Sequence, residues 1–319
     1  MGEAVKPGAV EREKSGGAGN RRKWGIGSRG LFRRVVIGVP FLWLAGLFLV
    51  PFLIVVKISL SQTAVAIPPY LPTFGDPSTW WSGLTQLTLD NYVWIASDDL
   101  YFNAYTLSLA IAAASTVLTL LIAYPLAYGM AKAPPAWRIT LVMLVILPFW
   151  TSFLIRVYAW IAILKPEGLL NQLLMSIGLI SEPLVILNTP TAIFIGIVYS
   201  YLPFMTLPIY ASLERMDHSL TEAAADLGSP PLKSFWTITF PLSLPGVIAG
   251  CFLVFIPAAG EFVIPDLLGG SRTLMIGKTV WLEFFTNRDW PVASAVAVVL
   301  VAILVVPIVI FQRQQARVG

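Results

Sequence analysis

The chain has 319 residues, 57% of them hydrophobic and only 12% charged, with a formal net charge of +4 and a mean hydropathy of +0.78. Soluble domains are about 45–50% apolar and about 25% charged, so polar groups this scarce exclude an ordinary water-soluble fold and indicate a polytopic membrane protein. Cys251 is the only cysteine and His218 the only histidine. That excludes an intrachain disulfide, a thiolate metal cluster and a His-rich zinc site, and nothing around His218 resembles a nucleophile elbow.

Residues 1–34 form a basic tail whose Gly, Lys and Arg content predicts disorder near an anionic lipid surface. Within it, Gly25–Gly30 matches GxGxxG by chance, because no strand precedes it; no Walker A lysine motif occurs in the chain. Apolar windows then predict six spans at Val35–Val56, Ala104–Met130, Ile139–Leu164, Pro190–Tyr210, Leu244–Pro265 and Pro291–Phe311. The first is read as an uncleaved helix rather than a signal peptide, since it is too long and no small-residue cleavage pattern follows it. With the N-terminus inside, the cytoplasmic segments 1–34, 131–138, 211–243 and 312–319 hold 15 Lys and Arg against 5 in the outer segments. The positive-inside rule therefore places both termini in the cytoplasm. The fold expected is all-α, with a permease domain over 35–311 and short tails on either side.

Every span contains or abuts proline, which frees backbone carbonyls and suits kinked, moving helices. Gly246 and Gly250 form a GxxxG surface for close helix approach, within the chain or against a partner. The outer loop 57–103 carries Asp76, Asp90, Asp98 and Asp99 among Trp80, Trp81, Tyr92 and Trp94, read as aromatics on lipid with part of the acidic face touching a partner. Segment 266–290 has an apolar run, Leu274–Phe285, too short to span and read as a re-entrant or interfacial helix.

The loop 211–243 is the most informative stretch. Ser219 and Glu222 form an S-x-x-E capping box, three alanines favour helix, Gly228 suits a left-handed stop, and Pro230–Pro231 start a second helix. Glu222, Ala223, Ala224, Gly228, Ile238 and Pro241 fall at the spacings of E-A-A, three residues, G, nine residues, I-x-L-P, with Phe240 in place of Leu. This resembles the EAA loop of permease subunits of ABC importers. The resemblance implies a type I ABC importer permease fold and a coupling helix seated on a separate ATPase. Ser219 and Asp226 would complete the contact, Asp226 as a rim charge.

Three further stretches, Leu147–Trp160, Pro257–Pro265 and Asn287–Ser294, look like the polyamine (putrescine-type) ABC importer permeases, with similarity over about residues 31–311. That resemblance implies a bacterial inner-membrane subunit paired with a second permease, an ATPase dimer inside and a periplasmic polyamine-binding protein outside. ATP and Mg would be used by the ATPase; this chain would bind no cofactor, metal or nucleic acid and would not itself be an enzyme.

Polyamines need carboxylates and aromatic faces along their path. Glu261, Asp266, Trp150, Tyr158 and Tyr201 are the candidates for a translocation path or gate, together with Arg156, the one cation inside a span. Intramembrane charges are usually paired but also mark transport paths. Glu261 is thus either a latch partner of Arg156 or a direct ammonium ligand, and both readings stand at this level. The alternatives are an importer permease for another small solute, and an ATP-independent secondary transporter or channel, which would leave the EAA-like loop unexplained.

Overall fold

A computed structural model describes residues 26–73, 80–217, 219–270 and 273–318. The tail up to residue 25, Asp76 and His218 lie outside the described residues. The chain divides into two units, Met1–Leu53 and Ile54–Gly319. In the first, α1 (Ile26–Leu44) is followed by a π-helical turn, Ala45–Leu49, and by the start of α2 (Val50–Ser59). Residues 26–30 of the GxGxxG match lie inside α1. The helical stretch Arg34–Ser59 is 26 residues long, and Phe41, Trp43 and Phe48 are exposed, as lipid contact requires.

The second unit opens with a small antiparallel hairpin, β1 (Gln62–Thr63) against β2 (Tyr70–Leu71), and two short helices, α3 (Trp80–Leu84) and α4 (Asp90–Ser97). Helix α5 (Asp99–Lys132) comes next, started by Asp98, whose Oδ1 accepts the Leu100 amide at 2.8 Å. Its 34 residues reach about 51 Å at 1.5 Å per residue, well beyond a hydrocarbon core. It packs against α9 (Pro190–Glu214) and α12 (Phe240–Ala259), and these three helices form the centre of the unit.

Small side chains explain that packing. Ala104, Ser108, Ala112, Ser115, Thr119, Ala123, Ala127 and Ala131 are buried at intervals of three or four along α5, so one face lets other backbones come close. The Thr116 and Thr119 hydroxyls donate to Ala112 and Ser115 carbonyls one turn earlier, so neither is left orphaned. The GxxxG pair works within the chain: a Cβ at Gly246 would lie 2.4 Å from the Pro208 carbonyl oxygen and from Ser212 Oγ, and one at Gly250 would lie 2.8 Å from Met205 Sδ.

Two expected spans are broken. The stretch 139–164, expected as one helix, is α6 (Pro135–Ile146), a 3₁₀ turn Leu147–Trp150, and α7 (Phe153–Leu164). The two arms meet at 89°. Pro148 cannot donate a helical hydrogen bond, and its own carbonyl, at the end of the turn, accepts from the Thr151 hydroxyl at 2.8 Å. Helix α8 (Leu169–Ser176) comes after α7. The span expected at 244–265 instead forms a helical stretch of 29 residues, Pro231–Ala259, that stops at Gly260. It runs from α11 (Pro231–Ser234) through a π turn, Phe235–Thr239, into α12.

These two π turns each precede a proline. In the first, the Val50 amide bonds back five residues to Ala45, immediately before Pro51; in the second, the Phe240 amide bonds to Phe235, immediately before Pro241. A proline inside a helix lacks the amide and crowds the carbonyl four residues back. Widening the preceding turn relieves both effects.

Beyond Gly260 come α13 (Val263–Leu268), α14 (Ile276–Trp281) with a further π turn Leu282–Thr286, and α15 (Trp290–Val318), whose start is capped by Asp289 Oδ1 on the Val292 amide at 3.1 Å. The expected short helix in 266–290 is therefore present. By length and apolarity, four helical stretches among the described residues can cross a membrane and the bent pair brings the number to five, against six expected; the apolar run Trp290–Val305 is shorter. Replacing Gly246 by Val drives carbon into the Pro208 backbone, and overpacking of this kind costs about 1–3 kcal/mol. The thermal midpoint of Gly246→Val in detergent should fall clearly, while Gly129→Ala, with open space around it, should leave it unchanged.

Candidate functional site

The loop between α9 and α11 folds into a separate short helix, α10 (Ser219–Asp226), with no buried residue. Asp217 rather than the expected box caps its start: Asp217 Oδ1 accepts the Ser219 amide at 3.0 Å, and Ser219 is already the first helical residue. A carboxylate two residues ahead is a strong acceptor for that amide, which displaces Ser219 from the cap position. An Asp-x-Ser turn pattern carries this signal in the sequence, in competition with the S-x-x-E spacing.

The other end of α10 agrees closely with the sequence. Gly228 has φ +79°, its amide bonds the Ala225 carbonyl at 2.8 Å, and the Ser229 amide bonds Ala224 at 2.9 Å. This is a Schellman stop, which satisfies two of the carbonyls a helix end leaves open. Glu222, Ala223, Asp226 and Leu227 are exposed, and Leu227 is 88% exposed, an apolar contact face without cover in this chain. Behind α10 lies a cavity of about 190 Å³ lined by Tyr128, Lys132, Met216, Thr221, Ala225 and Phe235. Ile238 lies in the π turn and Pro241 directly after it, so both motif positions belong to the helix that α10 joins.

The second element of the site is the break after α12. Glu261 Oε1 accepts the Val263 and Ile264 amides at 3.1 and 3.4 Å and so caps α13, while Tyr201 on α9 donates its hydroxyl to Oε2 at 2.6 Å. Gly277 of α14 lies against this break: a Cβ there would be 2.4 Å from the Gly260 carbonyl oxygen. Phe262 stacks on Trp281 with centroids 4.9 Å apart. Asp266 on α13 is paired with Lys278 on α14, Nζ to Oδ1 2.8 Å. Nothing in the sequence marks Lys278, because no local signal shows that α13 and α14 fold back on each other.

Arg156 and Glu261 form no ion pair within 4.0 Å. The Arg156 guanidinium instead lies over Phe149 and Phe153, at 5.3 and 5.7 Å from the ring centroids, and its Nε and one Nη are buried without a hydrogen-bond partner. A row of rings stands between the two charges: Tyr201 on Phe204 at 6.1 Å, and Phe204 edge-on to Phe149 at 5.0 Å. The 89° bend carries Arg156 onto an arm of its own, which a single straight span does not foresee. Trp150 and Tyr158 are exposed, at 79% and 57%, and neither joins the Glu261 cluster. Of the expected path residues, the structure thus brings together Tyr201 and Glu261, and sets Asp266 on the next helix.

Long apolar helices interrupted at a capped carboxylate, with a rigid exposed helix hung between two of them, define a membrane transport permease. The chain belongs to the binding-protein-dependent transport system inner membrane component family, whose pattern matches residues 123–317. It is 38% identical over 282 residues to the spermidine/putrescine transport system permease protein PotB of Haemophilus influenzae, covering 88% of this chain and 93% of the relative. The PotB protein of Escherichia coli K12 is 42% identical over 226 residues, covering 71% of this chain and 82% of the relative. The molybdenum transport system permease protein ModB of Mycobacterium bovis is 30% identical over 207 residues, covering 64% of this chain and 76% of the relative. In structure, the chain resembles one from a bacterial alginate ABC transporter crystallised with an alginate pentasaccharide-bound periplasmic protein. There the TM-score is 0.66 at 15% identity, covering 93% of this chain and 98% of that one. The fold is that of an ABC importer permease.

Nothing lies within 4 Å of a Cβ built at Gly228, so a substitution there acts only through its positive φ. Gly228→Val should cost about 1–2 kcal/mol and Gly228→Asn less, because Asn visits the left-handed region readily. Hydrogen exchange at the amides of 224–229 should quicken most in Gly228→Val and less in Gly228→Asn. Tyr201→Phe removes a hydrogen bond to a carboxylate, a contribution of about 1.5–3 kcal/mol, and should lower the thermal midpoint without loss of helix content by circular dichroism.

Proposed function

We propose that this chain is the permease subunit of an ATP-driven importer that moves putrescine and related polyamines from periplasm to cytoplasm. The observation that carries the substrate is its 38% identity across nearly the whole length of a protein named for spermidine and putrescine transport. The chemistry agrees, since Glu261 and Asp266 are carboxylates and Tyr201, Phe262 and Trp281 are aromatic faces, the two kinds of group that receive ammonium ions. A second reading, a permease for another small solute, draws on the ModB relative, which is less similar and covers less of this chain.

The working complex holds a second permease, an ATPase dimer against α10, and a periplasmic binding protein at the other end, with both termini of this chain in the cytoplasm. The binding protein receives support from the alginate importer, whose structure includes a periplasmic protein. ATP and Mg belong to the ATPase, and this chain hydrolyses nothing. Ser219, Glu222, Ala223, Ala224, Asp226 and Gly228 present the surface that the ATPase moves, and Ile238 and Pro241 anchor the helix that responds. The free energy of the cycle enters through the difference in contacts that the two ATPase states make with this face.

At the far end, Glu261 Oε2 accepts from Tyr201 and no ion pair joins it to Arg156, so Glu261 is read as a ligand and not as a latch. The test is ATP-driven uptake of radiolabelled putrescine by the complete complex in proteoliposomes. Glu261→Gln should reduce uptake about tenfold or more, since each 1.4 kcal/mol is a factor of ten, with the complex still assembled. Gly228→Pro should leave ATP hydrolysis and lose uptake. Wild-type complex that moves no polyamine would overturn the substrate, and uptake indifferent to Gly228→Pro would overturn the lever.

A further inference from the structure

The cavity behind α10 has no part in the coupling surface or in the carboxylate break. Its volume is about 190 Å³, more than the ~150 Å³ apolar cavity that accepts benzene. Three elements wall it: the last two turns of α5, with Tyr128 and Lys132; α10, with Thr221 and Ala225; and the π turn before α12, with Phe235 and Thr239. Lys132 and Ala225 are exposed as well, so the cavity opens to its surroundings beside them. We propose that it binds a phosphate anion, free or as the headgroup of an anionic lipid, and that the bound anion ties α10 to the ends of α5 and α12.

Charge sets the sign of the ligand. Lys132 lines the cavity, and none of the described lining residues is a carboxylate. Arg138 has Glu214 at 4.0 Å and Lys278 has Asp266 at 2.8 Å, whereas the Lys132 ammonium stands only over the Tyr128 ring, 4.5 Å from its centroid. A polyamine would meet a like charge here and no acid, so this is not a second place for the cargo. Lys132 also suits the C-terminal end of α5, where the helix dipole favours a cation. That accounts for the charge but not for the hydroxyls around it. Thr239 is 3% exposed, and its hydroxyl has no hydrogen-bond partner among the described residues. It is not sealed off as those of Thr88 and Ser115 are, so it is turned to the open volume that it lines. A buried hydroxyl without a partner costs free energy until an acceptor arrives. Ser229 and Ser234 line the same space, joined to each other at 3.1 Å, which leaves the Ser229 hydroxyl proton to give. One ammonium and several hydroxyls facing one volume suit a group with several acceptor oxygens, and phosphate has them. The rest of the wall, with Ala131, Leu213, Met216 and Pro231, is apolar and fits the carbon part of a phosphate ester. With the termini in the cytoplasm, as read above, the cavity lies at the leaflet surface that carries anionic lipid.

The test uses the full-length chain in an uncharged detergent and involves neither ATP nor polyamine, so its failure and that of the importer reading are distinguishable. Inorganic phosphate, glycerol 3-phosphate and phosphatidylglycerol are titrated separately, and hydrogen exchange at the amides of α10 is followed with each. Lys132→Met should weaken binding about tenfold or more, as loss of a charged hydrogen-bond donor does, and Thr239→Val about threefold. Lys233→Met removes an equal charge from an exposed position outside the cavity and should leave binding unchanged. Ligand should slow exchange across α10 about threefold or more in the wild type, and not in Lys132→Met. Tightest binding of phosphatidylglycerol identifies a lipid headgroup as the source; equal binding of glycerol 3-phosphate identifies a free phosphate ester, and both support the site. Helix content and size-exclusion profile check that each variant folds, and Lys132→Gln takes the place of Lys132→Met if the latter does not. No binding of any of the three probes overturns the inference. Equal weakening by Lys132→Met and Lys233→Met reduces it to general surface charge and overturns it, as does binding that leaves exchange in α10 unaltered.

Discussion

Inside a bilayer no water is available to a peptide group that loses its partner, so a helix that stops there must bring its own donors and acceptors. That constraint decides where this chain can break. At Thr151 the side-chain hydroxyl takes the Pro148 carbonyl; at Gly260 the Glu261 carboxylate takes the first amides of α13. The starts of α5 and α15 are capped in the same way, by Asp98 and Asp289. At the Glu261 break the residue that makes the interruption tolerable also brings a charge to it. The carboxylate that holds α13 in place is the one that Tyr201 presents from α9.

Proline enters by the same logic with a different outcome. Pro51 and Pro241 leave their helices continuous, with the preceding turn widened to a five-residue step, whereas Pro148 ends its helix. The difference lies in the residues on the C-terminal side of each proline. After Pro148 come Phe, Trp, Thr and Ser, and Thr151 and Ser152 both adopt extended backbone; after Pro51 and Pro241 the chain stays helical through apolar residues. A π turn also explains why Pro241 can occupy a place near the start of a membrane helix without ending it.

Much of this was legible in the sequence, and the reasons separate cleanly. The apolar windows located the first, second and fourth spans because length and hydropathy are local properties. Gly228 announced the end of α10 because only a residue free to take a positive φ fits a Schellman stop, and its three preceding alanines announced the helix. The features that stayed hidden depend on contacts between distant segments or on competition between neighbours. The bend at residues 151–152 lies inside a window that is apolar almost throughout, so hydropathy could not see it. Asp217 outcompeted Ser219 as a cap because a carboxylate accepts more strongly than a hydroxyl. A pairing of Arg156 with Glu261 supposes two straight spans, and both spans are broken. Lys278 meets Asp266 only because the turn between α13 and α14, which begins at Gly269 and Gly270, folds back.

The exposed helix α10 and the Glu261 carboxylate lie at the two ends of one helical stretch. From Pro231 to Ala259 the chain is helical for 29 residues, about 44 Å at 1.5 Å per residue. At one end Gly228, Ser229 and Pro230 join it to α10; at the other, Gly260 gives way to Glu261. Along its length it is held close to α9 by Gly246 and Gly250, where any added carbon would collide, and to α5 by the Tyr124–Ser243 hydrogen bond of 2.9 Å. With α9 this close along its length, a displacement at α10 would have two main outlets: the π turn at Phe235–Thr239, and sliding of the stretch against α9. Sliding moves Gly260, and with it the Glu261 carboxylate relative to Tyr201 on the helix it slides past. A hydrogen bond of 2.6 Å tolerates only a few tenths of an ångström before it weakens. A small movement of the stretch along α9 is therefore enough to alter the contacts of that charge, with no conducting chain of side chains between the two ends.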